Sequence, residues 1–190
     1  MPTLVANDLE QARQYFAATR KRVEDATAGL SEAQLRFKPG PDRWSIAEIL
    51  EHMVIVHQRV LTRVLEQLPQ APAPAPDRDS QLLDAIVIEK IPDRTIKAKA
   101  PDFIQPTGAM PVVAALDTIF RNHDRLLVIL ESTPDLREHI LESPPLRVVT
   151  SGAYETMDGY QWVLTAAAHD ERHVRQILEL KEDRNYPAAA

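Results

Sequence analysis

Cysteine is absent from the 190 residues, and glycine is scarce, with five. Without thiols the chain can form no disulfide, iron–sulfur cluster, thiolate zinc site or cysteine nucleophile. Any thiol chemistry would need a thiol brought from outside. Long apolar runs are also lacking. The most apolar stretches, such as Trp162–Ala168, fall far short of the roughly 20 residues that cross a bilayer. An excess of basic charge is missing too. Lys and Arg number 22 against 28 Asp and Glu, for a formal charge of −6, which argues against binding a phosphate backbone. The N-terminal MPTLVANDLEQ shows no basic stretch leading into an apolar one, so no signal peptide is expected and a cytoplasmic, soluble protein is. Hydrophobic residues are present at 44%. The length suits one domain over residues 1–190, large enough to bury roughly 70% of its unfolded surface.

Proline is plentiful, at 15 residues, and because it interrupts helices its positions partition the chain. Proline-free intervals run from Thr3 to Lys38, Asp42 to Leu68, Val112 to Thr133 and Leu146 to Tyr186, with a shorter one from Asp77 to Ile91. Each long interval carries an apolar seam at steps of three and four. The seams read Leu9, Ala12, Phe16, Thr19, Val23, Ala26, Leu30; then Ile46, Ile49, Met53, Val56, Val60, Val64; then Val112, Leu116, Ile119, His123, Leu126, Leu130; then Trp162, Ala166, His169, His173, Ile177, Leu180. Such steps put a whole seam on one helix face. Four such helices bury their seams against one another, which predicts an all-α four-helix bundle. Asn7 with Glu10, Ser45 with Glu48, and Asp158 with Gln161 read as N-caps with capping-box partners. Ser31–Gln34 reads as a short helical turn. Ala71–Pro76 alternates Ala and Pro as a stiff extended linker. It starts a long crossover between the second and third helices, with a short helix over Ser80–Lys90 and an ordered loop over Ile91–Met110. A second loop, Pro134–Met157, joins the third and fourth helices.

The six histidines stand at 52, 57, 123, 139, 169 and 173. His169 and His173 are one helical turn apart on one face, about 6 Å between Cβ atoms, so both imidazoles can reach one ion. They also replace two consecutive apolar seam positions and therefore point inward. A buried imidazole without a partner costs on the order of 1–3 kcal/mol. A metal ion would satisfy both, as would ordinary hydrogen bonds or a wet bundle end. His52, on a face bordering the second seam, can look into the bundle. His57 points about 140° away from it and reads as a surface or boundary residue. His123, inside the third seam, is open as a core histidine, a pocket wall or a fourth ligand. His139, beside Arg137 and Glu138, reads as solvated.

The run Arg43-Trp44-Ser45-Ile46-Ala47-Glu48-Ile49-Leu50-Glu51-His52, with Tyr160-Gln161-Trp162 leading to Ala168-His169-Asp170-Glu171-Arg172-His173 and Gln176-Ile177, resembles the DinB-like superfamily. It is closest to the YfiT-type branch of metal-dependent hydrolases. The middle loop, with Pro92-Asp93-Arg94, Lys99-Ala100-Pro101 and Pro106-Thr107-Gly108, is similar to that branch too, so the resemblance covers nearly the whole chain. It implies a four-helix bundle with a long connection between helices two and three. It implies a divalent metal held by one histidine of helix two and two of helix four, here His52, His169 and His173. A homodimer is also within what the family implies. Relatives often carry a His-Pro pair and a glycine before helix four. Here Glu142-Ser143-Pro144-Pro145 stands there, with Gly152 later, so the pocket mouth departs from that pattern.

Three nitrogen ligands with open positions would be the catalytic rather than the structural pattern. They suit zinc or nickel best. Such an ion acidifies water and polarises a substrate oxygen or sulfur, which leads to hydrolysis of a small molecule. The alternatives are a transferase using a low-molecular-weight thiol, and a non-catalytic or stress-associated bundle stapled by its metal. No nucleic-acid or membrane partner is expected. Glu48, one turn before His52, could accept a ring N–H from it or close the capping box with Ser45. Asp170 and Glu171 diverge from the His169 face and read as solvated. Gln176 could line a pocket, and Trp44 and Trp162 could wall it or fill the core.

Overall fold

The helical spacing of the seams becomes seven helices among the described residues, 4–97 and 99–188, of a computed structural model. They are α1 (Ala6–Thr27), α2 (Glu32–Arg36), α3 (Ile46–Thr62), α4 (Ser80–Lys90), α5 (Val112–Ser132), α6 (Pro144–Val149) and α7 (Gly159–Lys181). The bundle is made by α1, α3, α5 and α7, which pack pairwise around one another. The predicted caps of α3 and α7 form. Ser45 accepts from the Glu48 amide and Asp158 from the Gln161 amide. At α1 the cap shifts: the helix begins one residue before Asn7, and the Asp8 carboxylate accepts from the Val5 amide instead. Ser31–Gln34 does form a capped helical turn.

The connections are more structured than proline content alone implied. α3 runs on through a π-helical turn, Arg63–Gln67, and a tight turn over Leu68–Gln70. The short crossover helix forms as α4 and packs on α7. The loop between α5 and α7 holds α6 and a small hairpin, β1 (Ile140–Glu142) antiparallel to β2 (Thr156–Asp158), with Ile140 opposite Asp158. No helix among the described residues is long and apolar enough to cross a membrane.

The apolar core is two clusters rather than one. Phe16, Val60, Leu126 and Ala168 belong to the first. Val23, Met53, Ile119 and Val174 belong to the second. On each bundle helix the change of cluster falls at a polar level: Thr19, His57, His123 and the stretch His169–His173. A slab of imidazoles therefore divides the bundle crosswise.

Two sets of polar contacts fix the chain around this slab. Arg172 of α7 donates to the carbonyls of Ile91, Asp93 and Ile96 (2.7 Å to Ile96). The buried Glu51 of α3 accepts from Thr107 Oγ1 and from the Gly108 amide, both at 2.6 Å. The crossover is thus strung between α7 and α3. At the start of α7, buried Arg137 bridges Asp84 and Asp158 at 2.7 and 3.0 Å. Gly159 there donates its amide to the Leu136 carbonyl at 2.6 Å. A Cβ on Gly159 would sit 2.5 Å from Leu68 and 2.7 Å from that carbonyl. Gly159→Ala is expected to cost about 1–3 kcal/mol through overpacking, readable as a lower denaturation midpoint.

Candidate metal centre

α7 presents His169 and His173 one turn apart, and α3 brings His52 across from them. The three rings meet. His169 Nε2 lies 3.2 Å from His52 Nε2 and 3.1 Å from His173 Nε2. Their ligand-capable atoms all fall within 4.8 Å of one another. Nitrogens sharing an ion at bonds of about 2.0–2.1 Å, with angles of about 90–110°, stand about 3–3.4 Å apart.

The outer ring nitrogens explain why the inner ones face each other. His52 Nδ1 donates to the Ile104 carbonyl at 2.8 Å. His173 Nδ1 donates to Gln176 Oε1 at 2.9 Å, and that same oxygen accepts from Arg94 at 3.3 Å. With their protons on Nδ1, both rings turn a bare lone pair inward from Nε2. His169 Nδ1 is buried with no partner. One N–H on His169 could serve at most one of the two facing lone pairs well. The donor set fits a cation better than it fits any hydrogen-bond pattern the three rings can make. Burial pushes all three imidazoles below their ordinary pKa, well below for His169 and His173, where neighbouring rings add to the effect. They are therefore held neutral, the form that binds metal.

One side of this cluster opens on a cavity of about 1090 Å³. Trp44 walls it and packs against His52 and His173, at ring-centroid separations of 4.6 and 6.3 Å. Trp162 both lines the cavity and is buried. Gln176 lines it as well, and its bond to His173 gives it an orienting task that the sequence reading did not assign. Glu48 is no partner of His52. Its carboxylate accepts from the Ser45 amide at 2.8 Å and from Lys38 at 2.9 Å, and the backbone of Ile104 takes the place considered for it.

Several histidine and acid expectations are corrected. His57 is fully buried rather than at the surface, because α5 packs over that side of α3. His123 is a core histidine and stays apart from the other three. Asp170 is not solvated: it is fully buried and accepts from His57 Nε2 at 2.9 Å and His123 Nε2 at 2.7 Å. These three also converge closely enough to hold an ion, yet both separations are those of N–H···O bonds. With the carboxylate facing two imidazoles, Asp170 is held well below the usual carboxylate range although burial alone would raise it. Glu171 is buried as well, between Arg22 at 2.8 Å and Arg175 at 3.4 Å. His139 is half-buried and donates from Nδ1 to the Ala71 carbonyl at 2.6 Å. The missed signal was α7 itself. A helix packed on α1, α3, α4 and α5 has almost no wet face over its first half, so residues beside the seam are buried too.

Fold and site together define a helical bundle whose interior gathers imidazoles from facing helices, an architecture suited to holding ions. The profile of the DinB superfamily matches residues 15–177, and the chain belongs to that superfamily. It is 25% identical over 171 residues to the uncharacterized protein YuaE of Bacillus subtilis strain 168, covering 88% of this chain and 95% of that one. Its fold is similar to that of YfiT from Bacillus subtilis, with a TM-score of 0.59, 13% identity, and coverage of 98% of this chain and 93% of that one. YfiT is described as a probable metal-dependent hydrolase with an unusual four-helix bundle topology.

Proposed function

We propose that this protein is a metal-dependent enzyme, a hydrolase of a small molecule, with a divalent ion held by His52, His169 and His173. The observation that carries the reading is that His52 Nε2 and His173 Nε2 close on His169 Nε2 at 3.2 and 3.1 Å while their two rings are pinned outward through Nδ1. The likeness to YfiT supports it. Zinc or nickel suits neutral nitrogen donors. When bound, such an ion supplies Lewis acidity, polarising a substrate oxygen and acidifying water. The chain's own part is to hold His52 through Ile104 and His173 through Gln176, to keep all three rings unprotonated by burial, and to back His52 and His173 with the Trp44 ring.

A second reading, transfer chemistry with a low-molecular-weight thiol, draws support from cavity size. About 1090 Å³ exceeds the upper end, about 1,000 Å³, of ordinary small-ligand pockets and has room for two small molecules. Since the chain has no cysteine, the thiol would be a cosubstrate. Elemental analysis of untreated protein should find stoichiometric metal. Small anions such as azide should then shift the spectrum of cobalt-substituted protein, because the cavity reaches the site. Absence of metal binding rejects the reading, and an ion that no added ligand reaches marks a structural staple instead. A thiol that raises the Tm of the metal-loaded form alone would favour transfer over hydrolysis.

A further inference from the structure

The metal end of the cavity lies at one end of a stripe on α3. His52, Val56, Arg59, Val60 and Arg63 all line it, at spacings that keep them on one face as α3 passes into its π-helical turn. At 1.5 Å per residue, Arg59 and Arg63 stand about 10 and 16 Å along the axis from His52. π-helical turns are rare, and they collect at functional sites.

The charges around the cavity are not balanced locally, although the whole chain is acidic at −6. Lys38 is taken by Glu48 and Arg94 by Glu179. Arg172 is spent on backbone carbonyls. Arg59 and Arg63 take part in no ion pair among the described residues. Each lies over an aromatic ring, Arg59 at 4.3 Å from the Phe103 centroid and Arg63 at 4.5 Å from that of Trp162. The remaining polar contact of Arg63 is one long bond, 3.4 Å, to the Glu142 carbonyl. It is half-buried and in no ion pair among the described residues; burial and the neighbouring Arg59 charge weigh against its own charge more than the distant Glu142 carboxylate supports it. Stacking on a ring fixes a guanidinium's plane and leaves its N–H edge free for an acceptor. Between this pair and the histidines the lining is mostly apolar: Val56, Val60 and Trp162, with the Thr165 hydroxyl interrupting it, and Pro144, Val148 and Val149 line the same cavity.

We propose that Arg59 and Arg63 form an anion subsite at the far end of the cavity, and that the molecule bound there is an amphipathic organic acid. Its acidic group meets the two guanidiniums. Its apolar body, on the order of 10 Å long by the helix spacing, lies along Val56, Val60 and Trp162 and brings its other end to the histidines. The assignment of this molecule as substrate rests on the metal-dependent reading above; the anion subsite does not.

The test therefore uses metal-free full-length protein. The probes are 8-anilinonaphthalene-1-sulfonate and its uncharged analogue N-phenyl-1-naphthylamine, followed by fluorescence at low and high salt. The sulfonate is expected to bind ~10-fold tighter than the neutral probe, with the advantage shrinking in salt. Arg63→Gln and Arg59→Gln should each remove most of that advantage and leave the neutral probe's affinity unchanged. Arg43→Gln and Lys97→Gln, at exposed positions on the same cavity, should change little. Octanoate should displace the sulfonate, and inorganic phosphate at equal concentration should not. Equal affinity for the two probes would overturn the proposal, as would equal losses in all four variants. Displacement by phosphate as strong as by octanoate would overturn the amphipathic part. Arg63→Lys is the folding control: it keeps the charge and should retain part of the preference. Failure to bind metal in a separate elemental analysis would remove the hydrolase reading and leave this subsite standing.

Discussion

Alanine at His169 or His173 is expected to leave the purified protein without metal, and His52→Ala to do the same. Each substitution removes one of only three converging donors, and nothing else in the described cluster can replace it, since Glu48 is engaged with Ser45 and Lys38. Loss of an outer hydrogen-bond partner alone costs about 10–100-fold in affinity, so loss of a ligand should exceed that range. Gln176→Ala falls within it, because His173 then loses the oxygen that sets its tautomer. His57→Ala should keep its metal, since His57 bonds Asp170 and none of the three converging histidines. Elemental analysis of the five variants, with chelator competition for Gln176→Ala, checks the set. Equal metal content throughout would remove the site assignment.

Asp170→Ala is expected to be among the most destabilising single changes in the chain. The carboxylate is fully buried and serves two imidazole N–H groups at once. Its loss strands both donors in the core, and breaking a buried charged contact costs about 3–5 kcal/mol. For a chain of this length that lowers Tm on the order of 10 °C. Acidity should act on the same group. A carboxylate titrates near 3.9 when unfolded, and Asp170 does so far lower when folded. Its stabilising contribution is therefore complete above about pH 5 and is lost as pH falls through and below about 4. Thermal melts from pH 7 to 3 should show that loss in the native chain and less of it in Asp170→Ala. Equal melting temperatures at pH 7 would mean the contact carries no weight.

The bundle was legible because its four seams have helical spacing and prolines end them. The inward direction of His169 and His173 was legible for the same reason, since they interrupt a seam. What failed was everything set by packing off the seam. His57 and Asp170 sit on flanks that look polar along one helix, and only the approach of α5 and the central place of α7 buries them. The hairpin of β1 and β2 involves three residues a side, too few for alternation to show. The cap of α1 falls at Val5, two residues before the expected Asn7, and was not legible because Val5 carries no polar side chain and Asp8 serves the cap instead.

The partner that orients His52 is the carbonyl of residue 104, a main-chain atom of the crossover. Any amino acid there offers the same oxygen, so point substitution leaves the contact intact while a one-residue insertion or deletion between Thr95 and Gln105 would pull it away. Evolution could thus vary the side chain at position 104 freely while keeping the length of this loop under tight control. For an engineer the reverse holds: at this contact, loops of altered length rather than side-chain changes are the handle by which the orientation of His52 could be shifted.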